Sequence, residues 1–193
     1  MMFLSINTAT DICSVSLYND KKFITLSEKN TREHSKYLPV FTKELIENKR
    51  DKLKYIALCI GPGSFTGLKI GSSFAKGLAC SLKIPIVPVD IFNAFRLDIK
   101  NVNKYFLAIY SHKDYAFSCF YDKNKVSDYK CMKLDYINDY PIFGYGFPNN
   151  LNIDYKKVIP CSEKIGLLSI DQFNLYKNES IDNINPIYLN VEK

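Results

Sequence analysis

Hydrophobic and polar residues near the N-terminus alternate in short runs, and the period then lengthens. Met2 to Thr8 is largely apolar and predicts a buried strand. Ile12 to Tyr18 sets Cys13, Val15 and Leu17 against Ser14, Ser16 and Tyr18, the pattern of a half-buried strand. Asn19-Asp20-Lys21 supplies turn residues, and Phe23 to Glu28 continues as a third strand. From near Ser35, Leu38, Phe41, Leu45 and Ile46 share a helical face, with Pro39 expected in about the first turn, where N–H groups have no intrahelical partner. Lys54 to Ile60 has the length and side chains of a buried strand. Gly61-Pro62-Gly63 breaks that strand, and Leu68, Gly71, Phe74, Ala75, Leu78, Ala79 and Leu82 then recur at helical spacing. Ser64 is the expected N-cap, accepting from the N–H of Thr66 or Gly67. Ile84 to Val89, punctuated by Pro85 and Pro88, predicts a strand at an edge or strand end, and Asp90 a cap for a short helix through Leu97.

The order β-β-β-α-β-α-β implies an α/β lobe with three meandering strands and two parallel ones. The polar turns at 8–11 and 61–66 then lie along one edge of the sheet. Asp98 to Asn103 is polar and marks the expected boundary between a lobe at 1–98 and another at 99–193. In the second lobe, Tyr105 to Tyr110, Tyr115 to Tyr121, Tyr129 to Leu134, Pro141 to Tyr145 and Lys157 to Ile159 read as strands, and Ser162 as the cap of a helix to about Tyr176. Little room for a helix exists between Leu134 and Pro141, so this lobe is a reduced version of the first.

The helix after Ser64 carries a stripe of small residues, Gly67, Gly71, Ala75 and Ala79, spaced four apart. A glycine inside a helix is about 1 kcal/mol less favourable than alanine, so close approach of another backbone is expected to compensate. That backbone belongs either to a partner molecule, which we expect, or to the domain's own sheet, where glycines also serve close helix–strand contact.

Of the 193 residues 47% are hydrophobic and 24% charged, values of an ordinary globular chain. No apolar run approaches a membrane span, and Met1 to Ile6 lacks the basic-then-apolar pattern of a secretory signal. The six cysteines are scattered without a C-x-x-C pair, which predicts buried free thiols in a reducing cytoplasm, with neither a disulfide framework nor a zinc site. The net charge of +6 is spread over the chain, the pattern of a solvated lysine-rich surface.

Four segments carry a family resemblance. They are Ile6-Asn7-Thr8-Ala9-Thr10-Asp11, Arg32-Glu33-His34-Ser35, Gly61 through Gly71 with Ala75-Lys76-Gly77-Leu78-Ala79, and Pro186-Ile187-Tyr188-Leu189. Together they closely resemble the TsaB (YeaZ) family, densely over residues 2 to 90 and sparsely after. The resemblance implies a two-lobed α/β fold of the actin/Hsp70/sugar-kinase (RNase H-like) type. It also implies a cytoplasmic, non-catalytic subunit in the making of threonylcarbamoyladenosine in tRNA. The expected partners are a TsaD-type paralogue, which transfers the threonylcarbamoyl group to the adenosine N6 beside the anticodon, and the TsaE-type ATPase. A homodimer through the same helices is a further expectation, with tRNA contacted only indirectly. ATP and a divalent metal are implied for the partners and no bound cofactor for this chain. The family's pairing face is built from the two N-lobe helices, which places Leu38, Phe41, Gly67, Leu68, Gly71, Phe74, Ala75 and Leu78 at the expected interface.

Departures bear on chemistry. Asn7 stands where the family usually has aspartate, which removes a hard anionic oxygen a phosphate-bound metal prefers. Tyr110-Ser111-His112 replaces Asp-Ala-Arg, and Asn190 replaces an arginine. Thr8, Gly61, Gly63, Ser64 and Thr66 remain candidates for a phosphate-accepting loop, since N–H groups at a helix N-terminus favour anions; the alternative is a tight turn with a cap. No Walker A spacing is present, and His34 and His112 are too far apart in sequence to form the paired-histidine metal motif of the paralogue. A Ser64–His34 nucleophile pair lacks an orienting carboxylate at a recognisable spacing. Arg32, Glu33 and His34 precede the first helix and suit charged capping or a partner contact. The competing reading is a stand-alone ATPase, kinase or hydrolase of the same superfold.

Overall fold

The computed structural model describes residues 1–29, 33–123 and 125–191. Arg32, one of the residues assigned to capping or partner contact, lies outside them. The first sheet contains β1 (Met2–Asn7), β2 (Ile12–Asn19), β3 (Lys22–Lys29), β4 (Leu53–Gly61) and β5 (Ile86–Asp90) in the order β3-β2-β1-β4-β5. The first three are antiparallel neighbours, while β4 and β5 run parallel to β1, with β5 at the edge as expected. All six residues of β1 are buried because helices cover both faces of the strand. Met2, Leu4 and Ile6 meet α1 (His34–Ile46) and α2 (Phe65–Leu82). Phe3 and Ser5 point the other way, toward α4 (Ser162–Tyr176).

The second sheet is built on β6 (Lys104–His112) and β7 (Tyr115–Asp122), an antiparallel pair. It adds β8 (Lys125–Val126) and β9 (Lys130–Lys133) beside β7, then β10 (Ile142–Tyr145) and β11 (Lys156–Lys157) beyond β6. Between β9 and β10 the chain makes a single 3-10 turn at 134–136. The chain is a two-lobed α/β fold built on two mixed sheets.

Three local readings need correction. Pro39 lies in the second turn of α1, so the carbonyl of Ser35 loses its helical donor; both residues are exposed, and water can serve that carbonyl. Ser162 is not a cap. Cys161 holds the cap position without a side-chain bond, and the Ser162 hydroxyl lies 2.6 Å from that of Ser14 and 2.5 Å from that of Ser16. The Ser162 hydroxyl therefore ties the start of α4 to β2. The third concerns α4 itself, which sequence order places with the second lobe but which packs across β1, β2, β4 and β5. Gly166 permits this approach, since a Cβ there would meet the Phe23 ring at 2.7 Å and Ser5 Oγ at 3.0 Å.

An aromatic stack fixes the same contact. Tyr18, Phe3, Tyr55 and Phe173 follow one another at centroid separations of 4.7, 4.4 and 4.8 Å, and the Tyr55 hydroxyl meets Ser169 Oγ at 3.0 Å. One apolar core runs from Phe3 and Val87 through Phe92 and Phe95 of α3 (Ile91–Arg96) to Leu107, Tyr121 and Phe143 of the second sheet. Cys13, Cys59, Cys119 and Cys131 are buried free thiols, and burial pushes Cys13 and Cys59 up to about 12, which keeps them protonated and unreactive.

Asp90 caps α3 by accepting from the Asn93 N–H at 2.9 Å. Burial raises its carboxyl above the ordinary range, although hydrogen bonding from Asn93 and Tyr129 opposes the shift. The folded chain thus holds this proton more tightly than the unfolded chain. Stability contributed by Asp90 is therefore complete below the ordinary aspartate range near 4 and declines as pH rises through the raised folded value. Asp90→Asn is expected to flatten that decline in urea-denaturation series measured from acid to neutral pH. A fragment of residues 1–98 leaves Phe3, Tyr55, Val87 and Val89 without α4 and the second sheet. It is expected to show no cooperative thermal transition by circular dichroism, where the full chain shows one.

Candidate functional site

The turns at 8–11 and 61–67 meet at the carboxyl ends of β1 and β4, as their placement in sequence predicts. Gly61 has φ +97° and precedes a cis proline. The Ser64 N–H donates to the Ala9 carbonyl at 2.7 Å, and Thr8 Oγ1 donates to the Gly67 carbonyl at 2.8 Å. Ser64 caps α2, its Oγ accepting from the Gly67 N–H at 3.2 Å. Leu68 N–H donates to the Ser64 carbonyl. Three N–H groups of the turn and first helical turn are therefore engaged within the protein. A Cβ at Gly63 would lie 2.2 Å from the Ala9 carbonyl oxygen, so the two turns are in backbone contact with no room between them for a phosphate. Of the candidate loop residues, Thr8, Gly61 and Gly63 are buried and Ser64 and Thr66 exposed. The tight turn with a cap is what these contacts form.

The small-residue stripe faces the same way. A Cβ at Gly67 would meet the Thr8 carbonyl oxygen at 2.0 Å, and one at Gly71 would meet Thr8 Oγ1 at 2.2 Å. Ala75 and Ala79 are buried in the core shared with Leu4 and Ile6. The glycines let α2 lie on the end of β1, and the expectation that this stripe meets a partner is corrected. Leu38 and Leu68 are likewise buried beneath the helices, unable to touch another molecule. Phe41, Phe74 and Leu78 are half-buried on the outer flank of the helix pair. Pro39, Thr42 and Ile46 of α1 and Phe74, Leu78 and Leu82 of α2 line a groove of about 200 Å³ there. Thr42 Oγ1 is buried in this region without a hydrogen-bond partner among the described residues. Val40 is 54% exposed beside it, and Gly77 has open space around its Cα.

His34 is buried, with Nε2 2.8 Å from the Thr10 carbonyl, while the Ser64 hydroxyl serves the α2 cap. The two do not form a nucleophile pair, and His34 is turned inward, away from any partner. Glu33 occupies the cap position of α1 without a side-chain cap bond and pairs with Lys36 at 3.4 Å. Among the described residues no three His, Cys, Asp or Glu side chains gather as a metal site, and no helix is long and apolar enough to cross a membrane.

A family model described as TsaD, tRNA N6-adenosine threonylcarbamoyltransferase, matches residues 25–107. The tRNA threonylcarbamoyladenosine biosynthesis protein TsaB of Buchnera aphidicola subsp. Acyrthosiphon pisum is 32% identical over 134 residues, covering 65% of this chain and 60% of that protein. TsaB of Escherichia coli K12 is 37% identical over 93 residues, covering 47% of this chain and 40% of its own length. The chain thus spans about half the length of the curated relatives it matches. A Pseudomonas aeruginosa structure described as similar to peptidase YEAZ superposes with a TM-score of 0.79 at 19% identity, covering 98% of this chain and 99% of that one. The chain is similar to TsaB (YeaZ) proteins, in sequence over part of its length and in fold over nearly all of it.

The chain presents two surfaces. One is the outer flank of α1 and α2. The other is the cleft between the lobes, about 530 Å³, lined by Thr10, Asp11, Ser64 and Phe65 from the first lobe and Tyr110, Phe117 and Tyr145 from the second. The sequence reading placed Asp11 only in a polar turn and missed Tyr145 and Phe117, because those residues join the cleft only when the second sheet docks. Asn7 lies buried behind the turn, its Oδ1 accepting from the Ala9 N–H at 3.0 Å, so the amide acts as a structural clasp at this position.

The two helix glycines predict opposite outcomes. Gly71→Ala should destabilise the chain by about 1–3 kcal/mol through overlap with Thr8. Gly77→Ala, with open space before it, should stabilise it by up to about 1 kcal/mol. Chemical denaturation of both variants against the parent chain measures the difference.

Proposed function

We propose that this chain serves tRNA threonylcarbamoyladenosine biosynthesis in the cytoplasm as a non-catalytic subunit. In this reading it binds a TsaD-type transferase through the outer flank of α1 and α2 and supports assembly with a TsaE-type ATPase. The observation that carries the reading is the groove between α1 and α2, lined by the apolar Pro39, Ile46, Phe74, Leu78 and Leu82 together with Lys43 and Arg50. Phe74, Leu78 and Phe41 supply the apolar anchors, and Gly77 leaves space for close helix approach. Relatives that carry the name of the pathway, and a matching family model described as the transferase, support this choice of partner.

The stand-alone ATPase or hydrolase reading has the closed turn against it. The Ser64, Gly67 and Leu68 N–H groups already donate within the chain, and Asn7 supplies an amide where metal chemistry favours a carboxylate.

Mixing the chain with its cognate transferase should give a complex by multi-angle light scattering. Phe74→Lys, which leaves the Thr8 contacts untouched, should melt as the parent chain does and weaken pairing by roughly tenfold or more, as expected for loss of a central anchor. No complex with the transferase, in the presence or absence of ATP and the TsaE-type ATPase, overturns the pairing. Depletion in cells should lower threonylcarbamoyladenosine among tRNA nucleosides weighed by mass spectrometry.

A further inference from the structure

The cleft between the lobes has an uneven chemistry. Four aromatic side chains, Phe65, Tyr110, Phe117 and Tyr145, contribute to its walls. Among the described residues Asp11 is the one charged residue lining it, and neither lysine nor arginine does. Asp11 Oδ1 is buried and accepts no hydrogen bond from the described residues. The other oxygen, Oδ2, has the Lys29 ammonium at 3.9 Å, beyond hydrogen-bond distance, on a side chain 66% exposed to solvent. Burial, a side-chain hydrogen bond with Asp11 and the charge of that carboxylate also hold the Tyr145 phenol above its ordinary range, so this ring stays neutral.

A buried carboxylate oxygen without a donor calls for a positively charged or N–H-bearing group. Aromatic faces around it favour the same charge through their quadrupoles. A phosphate meets the opposite conditions, because the nearby turn has its Ser64 and Gly67 donors engaged and the lining charge is negative.

We propose that the interlobe cleft is a binding site for a small organic cation, a guanidinium or ammonium group on a slender apolar stem. Its head pairs with the partly exposed Asp11 carboxylate, and its stem lies among Phe65, Phe117, Tyr110 and Tyr145. The cleft, at about 530 Å³, accommodates a ligand of that size. The site is separate from the α1–α2 flank, and its occupancy does not depend on the proposed partner.

The test titrates the full chain alone with butylguanidinium by isothermal calorimetry, with butyrate and butanol as anionic and neutral counterparts. Butylguanidinium should bind saturably at one site, and the counterparts should not. Asp11→Asn keeps the side-chain shape and should weaken binding by roughly tenfold or more, the scale of a charge-assisted hydrogen bond. Ring-proton shifts of Phe117 and Tyr145 followed by NMR in the parent chain give a second readout that needs no variant. Absence of saturable binding, equal binding of butyrate, unchanged affinity in folded Asp11→Asn, or shifts confined to residues outside the cleft each overturn the proposal.

Discussion

Backbone contact between two turns organises the first lobe. Where β1 ends at Thr8–Ala9 and β4 ends at Gly61–Gly67, the chains approach so closely that a methyl group at Gly63, Gly67 or Gly71 would overlap a Thr8 or Ala9 atom. Two hydrogen bonds cross the contact, Ser64 N–H to the Ala9 carbonyl and Thr8 Oγ1 to the Gly67 carbonyl. The start of α2 is thereby pinned to the end of β1, and α2 follows the sheet in a fixed orientation. The contact that gives the lobe its shape also engages donors that a phosphate would use.

The same contact determines which surfaces remain available. With 67, 71, 75 and 79 directed at the sheet, the next row of α2, through Phe74 and Leu78, becomes the flank beside α1. Phe74 and Leu78 are only half covered there, and Thr42 Oγ1 from α1 lies buried without a partner among the described residues. On the opposite face α4 returns from the far end of the chain to seal β1, β4 and β5, so the lobes share one core and neither sheet is a free unit. The interlobe cleft is what this sharing leaves open, edged by Asp11 from the turn after β1 and by Tyr145 from the second sheet.

Most of the elements were legible in the sequence because each rests on local chemistry. Alternation gave β2, helical spacing gave α1 and α2, and turn residues separated β2 from β3. Ser64 performs the capping its side chain suits, and Asp90 does the same for α3. The readings that failed depended on partners distant in the chain. Ser162 looked like a cap because serine often is one, yet its hydroxyl found Ser14 and Ser16 across 148 and 146 positions. Cleft residues Phe117 and Tyr145 carried no local signal beyond being apolar strand positions.

The sequence by itself determined the element order, the parallel and antiparallel pairing of the first sheet, the meeting of two polar turns at one edge, and the existence of a stripe of small side chains. Tertiary structure alone decided what lies against that stripe. Spacing reports that a helix face is small, and a small face fits a neighbouring strand as well as a foreign helix; only the position of Thr8 against Gly67 and Gly71 distinguishes the two. It also decided that α4 belongs with the first sheet, since apolar periodicity names the buried side of a helix but carries no address for the surface that buries it.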